Sequence, residues 1–293
     1  MIPPVLDAPA RRALGRLLTQ CARDGSGRTG FEPMPEPRYR IGVTGAPGSG
    51  KSSLIGVLAS RRVEMAGALA VLAIDPTSPV TQGSVLGDRI RMDAISTHPG
   101  IYIRSLPSRS AFDGLCDNVE SLLRVLERSG FVEIILETVG AGQVQHTSRT
   151  VTDTLVMVHS PHAGDAIQAM KAGLMEMADI FVVNKADLPD ASRAAMEIRS
   201  ALLRDRLEGN WRPPVILTST QTGAGIADLS DAIDRHRDTI VSARGADGVA
   251  AARVRHHAAE LLTRRLAAAI AAGAPSTELD RAVASIVQRF DSL

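Results

Sequence analysis

Residues 45–52 read Gly45-Ala-Pro-Gly-Ser-Gly-Lys51-Ser52, which satisfies every fixed position of the phosphate-binding loop pattern G-x-x-x-x-G-K-[ST]. The apolar run Tyr39 to Thr44 precedes this loop, and the helix-like stretch Ser52 to Ala66 follows it. Between a strand and a helix, the glycines allow backbone N–H groups to surround phosphate oxygens, and the helix N-terminus adds the positive end of its dipole. The stretch therefore predicts a P-loop protein that binds a nucleoside triphosphate.

Two side chains of the loop have separate expected tasks. Lys51 is expected to reach the β- and γ-phosphates of the nucleotide, and the Ser52 hydroxyl is expected to bind Mg²⁺. The residues expected to contact the nucleotide in this stretch are Gly45, Ala46, Pro47, Gly48, Ser49, Gly50, Lys51, Ser52 and Ser53.

Composition narrows the class of protein. The chain has 293 residues, with 33 basic and 32 acidic side chains and 3% aromatic residues, a balance that predicts no nucleic-acid partner. No apolar run of the sequence reaches the about 18 residues that span a bilayer, and the first residues lack the basic flank and apolar stretch of a signal peptide. Cys21 and Cys116 are far apart in the sequence and predict buried or idle thiols in a reducing compartment. We therefore expect a cytoplasmic protein without a membrane partner.

From Tyr39 onward, apolar strand-like runs alternate with helix-length segments. Alternation of this kind predicts βαβ units, a mostly parallel sheet and helices on both faces of that sheet. The expected fold is therefore an α/β P-loop NTPase. The predicted strands are Ile41–Thr44, Ala70–Ile74, Ile101–Arg104, Val132–Glu137, Leu155–Val158, Ile180–Val183 and Val215–Thr218.

Changes of composition divide the chain into three predicted segments. Residues 1–38 are expected to form an N-terminal helical extension and linker, and residues 39–243 the P-loop GTPase domain. Residues 249–293, rich in Ala, Arg and Leu, are expected to be helical. These helices can fold back onto the core or pack on a second subunit. We expect them to pack on a second subunit and form a homodimer. The leucines predicted on one face of the N-terminal helix are Leu14, Leu17 and Leu18.

The motif Asn184-Lys185-Ala-Asp187 follows the strand-like run Ile180–Val183 and predicts recognition of guanine. The Asp187 carboxylate can accept hydrogen bonds from N1–H and the exocyclic amine of guanine, whereas adenine would leave a carboxylate facing a lone pair. The Lys185 stem can lie along the base, and Asn184 can brace neighbouring loops. Asp187 can also cap a helix N-terminus, which is compatible with reading the base. A second base contact is expected from Ser219 and Thr220.

Acidic residues near the ends of predicted strands are candidate metal ligands. Glu137 ends the run Val132–Glu137 and is expected to hold Mg²⁺ through water, since Mg²⁺ keeps much of its hydration. Gly140, three residues later, is expected to donate its N–H to the γ-phosphate. Asp75 and Asp88 are further candidate ligands, and either can instead be a helix cap or a turn residue.

Two further stretches can act on the γ-phosphate. Gln143 is the obvious water-orienting side chain of its Gly-rich loop, although a surface residue would show the same pattern. The segment 164–171 follows the strand Leu155–Val158 and can reach the nucleotide from the crevice at the carboxyl ends of the strands. Its residues Asp165 and Lys171 carry opposite charges and predict a switch; a helix start capped by Asp165 is the alternative. The residues expected to act in hydrolysis are Lys51, Glu137, Gln143, Asp165 and Lys171.

Together these motifs resemble the MeaB family of G-protein chaperones for cobalamin-dependent acyl-CoA mutases, across residues 39–230. The resemblance implies a SIMIBI-type G domain that binds GTP or GDP with Mg²⁺, hydrolyses GTP slowly and forms a homodimer. It also implies a role in gating adenosylcobalamin delivery to the mutase or in protecting the mutase from inactivation. The matching elements are Gly45-x4-Gly-Lys-Ser, Asp75-Pro-Thr-Ser-Pro-Val-Thr-x-Gly-Ser-x-Leu-Gly-Asp88-Arg-x-Arg-Met92, Glu137-Thr-Val-Gly-x-Gly-Gln143, Lys171-x-Gly-Leu-Met-Glu176-x-Ala-Asp179 and Asn184-Lys-x-Asp187.

Three positions depart from the family pattern. Ser110 follows Arg109 where the family has Gly-x-Leu-Gly-Gly, and Gln145 stands where the family tends to have Glu. Asp165 is followed by Ala166 rather than by a second Asp. If the first and third departures lie on partner-facing or switch surfaces, the expected partner is a related mutase acting on another branched or hydroxylated acyl-CoA.

Two other classes of function stay open. A kinase or ATPase tied to amino-acid transport shares the phosphate loop, but Asn184-Lys-x-Asp187 indicates guanine. A nickel- or cobalt-delivery GTPase would be expected to carry a Cys or His cluster. The candidates for such a cluster are His159, His162, His256 and His257.

Overall fold

The computed structural model describes residues 7–24, 38–76, 95, 97–108, 118–138, 144–161, 178–204, 211–271, 281 and 284. Within them, neighbouring strands pair in parallel to form one seven-stranded sheet. The strands are β1 (Tyr39–Thr44), β2 (Leu69–Pro76), β3 (Ile101–Ser108), β4 (Glu133–Glu137), β5 (Thr154–His159), β6 (Ile180–Asn184) and β7 (Val215–Thr218). Their spatial order is β3-β2-β4-β1-β5-β6-β7. The predicted α/β architecture is confirmed, and each predicted strand is present with its ends shifted by four residues at most.

Six helices lie in the described ranges and complete the α/β pattern. They are α1 (Ala8–Asp24), α2 (Lys51–Ala66), α3 (Val119–Arg128), α4 (Val144–Val151), α5 (Ala191–Arg204) and α6 (Ile226–Ala271). The chain divides into two compact units, residues 1–243 and residues 244–293. Just after this division, Gly245 interrupts the helical geometry of α6 with φ 70° and ψ 157°. The positive φ suits glycine, which has no Cβ to clash there.

The strands are buried on both faces, and alternate residues point toward two different layers of helices. On one face, Val43 and Val156 pack with α2 and with the first turns of α6. On the other face, Leu72 and Ile134 pack with α1 and α3, and Phe181 packs with α5. Strands covered on both sides need apolar side chains at nearly every position, which explains the continuous Val and Ile runs in the sequence.

Helix α1 belongs to the core of the first unit. Leu14, Leu18 and Cys21 are buried in the cluster that α3 also lines, and their i, i+4, i+7 spacing forms a narrow apolar stripe. Leu17, predicted on the same face, lies at the margin of this stripe and is 47% exposed. Cys116, the other cysteine, lies outside the described residues.

Buried ion pairs tie the amino edge of the sheet, where the strands begin, to the helices. The Arg40 guanidinium on β1 donates from Nε to Glu127 at 2.8 Å and from Nη2 to Glu120 at 3.0 Å, both on α3. Burial alone would lower the pKa of Arg40, but the two carboxylates raise it well above its usual value. Removing one partner of such a buried pair costs about 3–5 kcal/mol, so this cluster fixes α3 on the sheet.

A second cluster joins three elements at the same edge. Arg62 on α2 donates from Nη2 to Glu133 on β4 at 2.6 Å and to Asp234 on α6 at 2.9 Å. Its Nη1 atom donates to the carbonyl of Ser230 at 3.1 Å. The helix that follows the phosphate loop is therefore attached at its far end to both β4 and α6.

Candidate functional site

The phosphate loop connects β1 to α2 at the carboxyl edge of the sheet, where the strands end. Gly45, Gly48 and Gly50 have φ of 145°, 79° and 89°, a backbone conformation that other residues rarely adopt. A Cβ added to Gly45 would lie 2.1 Å from the Val158 carbonyl oxygen, and one added to Gly50 would lie 2.4 Å from Asn184 Nδ2. The loop therefore needs glycine for its conformation and for its close contact with β5 and β6.

The loop and the start of α2 form an anion-binding cradle. The Lys51 ammonium donates to the carbonyl oxygens of Gly45 at 2.9 Å and Ala46 at 3.2 Å, so its charge is held over the loop. Helix α2 begins at Lys51, and its N-cap residue, Gly50, has no side chain that could form a capping hydrogen bond. Backbone N–H groups at a helix start, together with a lysine, suit the oxygens of a polyphosphate.

Ser52 and Glu137 meet beside this cradle. Parallel pairing places Val43 of β1 opposite Glu137 at the end of β4, which brings the carboxylate next to the first turn of α2. The Ser52 hydroxyl donates to Glu137 Oε1 at 2.8 Å, and both side chains are buried. Hydroxyl and carboxylate oxygens are the donor set that Mg²⁺ prefers, so the residues present fit a magnesium ion.

Asn184 and Lys185, at the end of β6, hold the phosphate loop by hydrogen bonds to its carbonyl oxygens. Asn184 Nδ2 donates to the Ser49 carbonyl at 3.0 Å and its Oδ1 accepts from the Thr218 hydroxyl at 3.2 Å. Lys185 adopts a positive φ of 60°, and its ammonium donates to the Gly48 carbonyl at 2.8 Å. The predicted bracing by Asn184 is therefore present in the geometry, with Thr218 as a support that the motif did not indicate.

Asp187 and Ser219 lie side by side at the ends of β6 and β7. The Ser219 hydroxyl donates to Asp187 Oδ1 at 2.6 Å, and this bond lowers the pKa of the exposed Asp187 carboxyl, with a smaller contribution from the charge of Lys185. The carboxylate is therefore ionised at neutral pH and accepts hydrogen bonds only. This is the state that recognition of the N–H groups of guanine requires.

The structure describes some of the other predicted site residues and not others. Asp75 lies in β2 two residues beyond Ala73, which pairs with Glu137, so its backbone reaches the same edge of the sheet. Thr220 follows Ser219 in the turn after β7. The predicted residues that lie outside the described part of the chain are Asp88, Gly140, Gln143, Asp165 and Lys171.

Of the histidines considered as metal ligands, His159 is the one whose side chain the structure describes. His159 ends β5, and its ring stacks on Phe181 with centroids 6.1 Å apart. His162 lies outside the described residues, as do the side chains of His256 and His257. In the described ranges, no group of three or more His, Cys, Asp or Glu side chains could hold a metal ion.

A phosphate loop held against the segment Asn184-Lys-x-Asp187, on a parallel sheet with helices on both faces, is the arrangement that defines P-loop GTPases. Comparison with known proteins shows to which family of GTPases the chain belongs. The family model described as methylmalonyl-CoA mutase-associated GTPase MeaB matches residues 32–274, and the chain belongs to this family. The chain is therefore a guanine nucleotide-binding GTPase, and the resemblance inferred from its motifs is confirmed.

Individual relatives agree with this assignment. A GTPase of Pyrococcus abyssi is 42% identical over 235 residues, which are 78% of this chain and 72% of that protein. The methylmalonic aciduria type A homolog of Caenorhabditis elegans, a mitochondrial protein, is 36% identical over 240 residues, which are 79% of this chain and 60% of the relative. A crystal structure of a LAO/AO transport system kinase superimposes with a TM-score of 0.64 and 20% identity, covering 98% of this chain and 99% of that one; this likeness shows the fold.

Replacing Ser219 with alanine tests whether its hydrogen bond to Asp187 supports recognition of the base, as we predict. Loss of the hydroxyl removes one hydrogen bond to a charged group, so GTP affinity should fall roughly fivefold, with no change in the weak affinity for ATP. Titration with fluorescent GTP and ATP analogues measures both. Ser200→Ala, at an exposed serine of α5, is the matched control. An equal loss of GTP affinity in both variants would show that Ser219 is not part of the base-binding site.

Proposed function

We propose that this GTPase is a chaperone of an adenosylcobalamin-dependent acyl-CoA mutase, gating the loading of the cofactor and protecting the mutase from inactivation. The observation that carries the proposal is the match to the mutase-associated family over residues 32–274. The likeness to a methylmalonic aciduria type A homolog supports it. The mutase acts on methylmalonyl-CoA or on a related branched or hydroxylated acyl-CoA.

In this proposal GTP binds along the carboxyl edge with its base at Asp187 and its phosphates over the loop. Lys51 and the first N–H groups of α2 neutralise and orient the β- and γ-phosphates. The Asn184 and Lys185 side chains keep the loop carbonyls turned away from the phosphates, because they donate to Ser49 and Gly48. The nucleotide contacts proposed besides the loop are Gly140, Asn184, Lys185, Asp187, Ser219 and Thr220.

Mg²⁺ is the metal that fits, and when bound it would neutralise charge that develops on the phosphate oxygens. Ser52 would hold it directly, and Glu137 would hold it through water. The 2.8 Å hydrogen bond between their side chains supports this assignment, because it places both oxygens within reach of one hydrated ion. Asp75 and Asp88 are proposed as the other carboxylates near the metal.

Hydrolysis is proposed to depend on the loop that follows β4. Gln143 would orient the attacking water, and the Gly140 N–H would bind the γ-phosphate. A single neutral side chain that orients water gives slow turnover, and a partner that supplies a further cation raises such rates by ~10³–10⁵. We therefore propose a slow GTPase that the mutase stimulates, with residues 164–171 as the segment that reports the nucleotide state.

The remaining parts of the proposal concern assembly and location. Residues 249–293 are proposed to form the contact of a homodimer. None of the helices in the described residues is long and apolar enough to cross a membrane. The cytoplasmic location expected from the sequence stays a prediction, as does the absence of a nucleic-acid partner.

Two other functions are less well supported. A transport-coupled kinase rests on a likeness of 20% identity, which shows a shared fold only. For a metal-delivery GTPase, the fold neighbours include a nickel-bound HypB from Helicobacter pylori. It has 14% identity and a TM-score of 0.50 and covers 78% of this chain and 96% of that one, which shows the fold alone. The described residues hold no metal cluster that would favour this second function.

Capture of the mutase tests the chaperone role. The full chain loaded with GTP should co-purify with a cobalamin-dependent mutase, and that mutase should raise GTP hydrolysis about a thousandfold or more. Asp165→Ala and Lys171→Ala should retain GTP affinity but lose the stimulation, since they are placed in the switch. A chain that binds neither purified methylmalonyl-CoA mutase nor its relatives in either nucleotide state would contradict the proposal.

A further inference from the structure

Arg62 joins α2 to β4 at the amino edge, at the opposite end of the helix from Ser52. Its guanidinium donates from Nε and Nη2 to the two carboxylate oxygens of Glu133, the second of these bonds at 2.6 Å. Both side chains are 3% exposed, so this ion pair is buried. At the other end of the same two elements, the Ser52 hydroxyl donates to Glu137 Oε1 at 2.8 Å. Helix α2 and strand β4 are therefore joined by a polar contact at each end.

The spacing of these residues explains why both contacts form. The span from Ser52 to Arg62 is about 15 Å along a helix that rises about 1.5 Å per residue. The span from Glu133 to Glu137 is about 13 Å along a strand that rises about 3.3 Å per residue. Both glutamates share a face of β4 with Ile135, which packs in the hydrophobic cluster that the buried side chains of α2 line. The two polar contacts thus lie on either side of an apolar one.

The Arg62 guanidinium is also bound to α6, where its Nη2 atom donates to Asp234 at 2.9 Å. Helix α6 has a further attachment at the same edge. The Nε2 atom of His236 lies 3.3 Å from Oδ1 of Asp179, directly before β6. The Oδ2 atom of that carboxylate accepts from Arg149 Nη1 on α4 at 2.8 Å. Helix α6 is thus attached to the sheet by a contact that does not involve Arg62.

We propose that Arg62 and Glu133 are positioning residues for the metal site. Their ion pair fixes the far end of α2 on β4, and so keeps the Ser52 hydroxyl in place for the ion that Glu137 holds. The inference rests on the proposed Mg²⁺ site. Groups that act together at a site must be held to within about 0.5 Å, and a helix attached at one end only can rock on the apolar contact beyond that end. The second attachment removes this freedom.

Glu133→Ala in the full chain tests the inference, because Arg62 keeps its bond to Asp234 and is not left as an unpaired buried cation. The affinity of the GDP complex for Mn²⁺, which takes the same oxygen ligands as Mg²⁺, should fall about fivefold. The affinity for GDP without metal should stay unchanged, because Asn184 and Lys185 hold the phosphate loop independently. Electron paramagnetic resonance of free Mn²⁺ and calorimetric titration with GDP in EDTA measure the two affinities. Glu133→Gln, which can keep one of the two bonds to Arg62, should give an intermediate affinity for Mn²⁺.

Glu120→Ala is the matched control. Glu120 also accepts two bonds from one buried arginine, Arg40, and its side chain is also 3% exposed. The variant loses a comparable ion pair, but α3 carries no residue of the proposed metal site, so its affinity for Mn²⁺ should equal that of the unmodified protein. An unchanged affinity for Mn²⁺ in Glu133→Ala, an equal loss in Glu120→Ala, or a parallel loss of metal-free GDP affinity would overturn the inference. If Glu133→Ala does not fold, the same criteria apply to Glu133→Gln.

Ser52→Ala separates this inference from the proposed metal site. If Ser52→Ala lowers the affinity for Mn²⁺ and Glu133→Ala does not, only the positioning role of the ion pair fails. If Ser52→Ala leaves that affinity unchanged, the proposed metal site fails, and the role of Arg62 and Glu133 fails with it.

Discussion

Replacing Lys51 with alanine should lower the rate of GTP hydrolysis about a thousandfold, the upper part of the range seen when one preorganised donor is removed from a transition state. The ammonium is already fixed over the phosphate loop by its bonds to the Gly45 and Ala46 carbonyls. It is therefore oriented before the nucleotide arrives and needs little reorganisation as charge develops on the β- and γ-phosphates. Alanine supplies neither the charge nor the hydrogen bonds.

Single-turnover hydrolysis measures this effect, and calorimetric titration with GTP measures the accompanying loss of affinity. Arg61→Ala is a suitable control, because Arg61 is an exposed cation on the same helix. It should behave as the unmodified protein does. A Lys51→Ala variant that hydrolyses GTP within tenfold of the unmodified protein would show that the loop is not the phosphate site.

Asp187→Asn should change the preferred base. The amide replaces one acceptor oxygen with a donor, so it cannot accept both N–H bonds of guanine, but it can donate to the extra carbonyl of xanthine. Sites built around paired polar groups discriminate strongly against ligands of the wrong hydrogen-bond polarity. GTP affinity should therefore fall about a hundredfold, and the affinity for xanthosine triphosphate should rise by a similar factor.

Competition binding with both nucleotides tests the change of base. Asp190→Asn, an exposed acid three residues further along the chain, is the control and should keep the preference for GTP. Equal affinities of the unmodified protein for ATP and GTP would contradict the assignment of Asp187, as would an Asp187→Asn variant that gains nothing toward xanthosine triphosphate.

The sheet could be predicted because its signals are local. Runs such as Ile180–Val183 are buried on both sides, and alternation with helical segments leaves few topologies open. The phosphate loop and Asn184-Lys-x-Asp187 could also be located, since each is a short pattern with a fixed place after a strand. Their meeting at one edge follows from parallel strands, whose carboxyl ends lie together.

The polar clusters of the amino edge could not be predicted in the same way. Asp179 and Arg149 are 30 residues apart, and Arg62 and Asp234 are 172 residues apart, so no periodicity connects them. Arg40 sits inside an apolar strand, where the sequence gives no sign of its carboxylate partners on α3. Burial of charge depends on which elements become neighbours, and a single sequence does not encode that in any local pattern.

The contacts of Asn184 and Lys185 with the phosphate loop have a consequence for ligands smaller than a nucleotide. Because Asn184 and Lys185, beside the proposed base-reading residue Asp187, donate hydrogen bonds to the loop, the two halves of GTP would dock on connected parts of one site. The translational and rotational freedom lost on binding is then lost once for the whole molecule rather than once for each half. Guanosine and pyrophosphate should each bind far more weakly than an equal division of the GTP affinity suggests, and an effective competitive inhibitor must bridge both halves of the cleft.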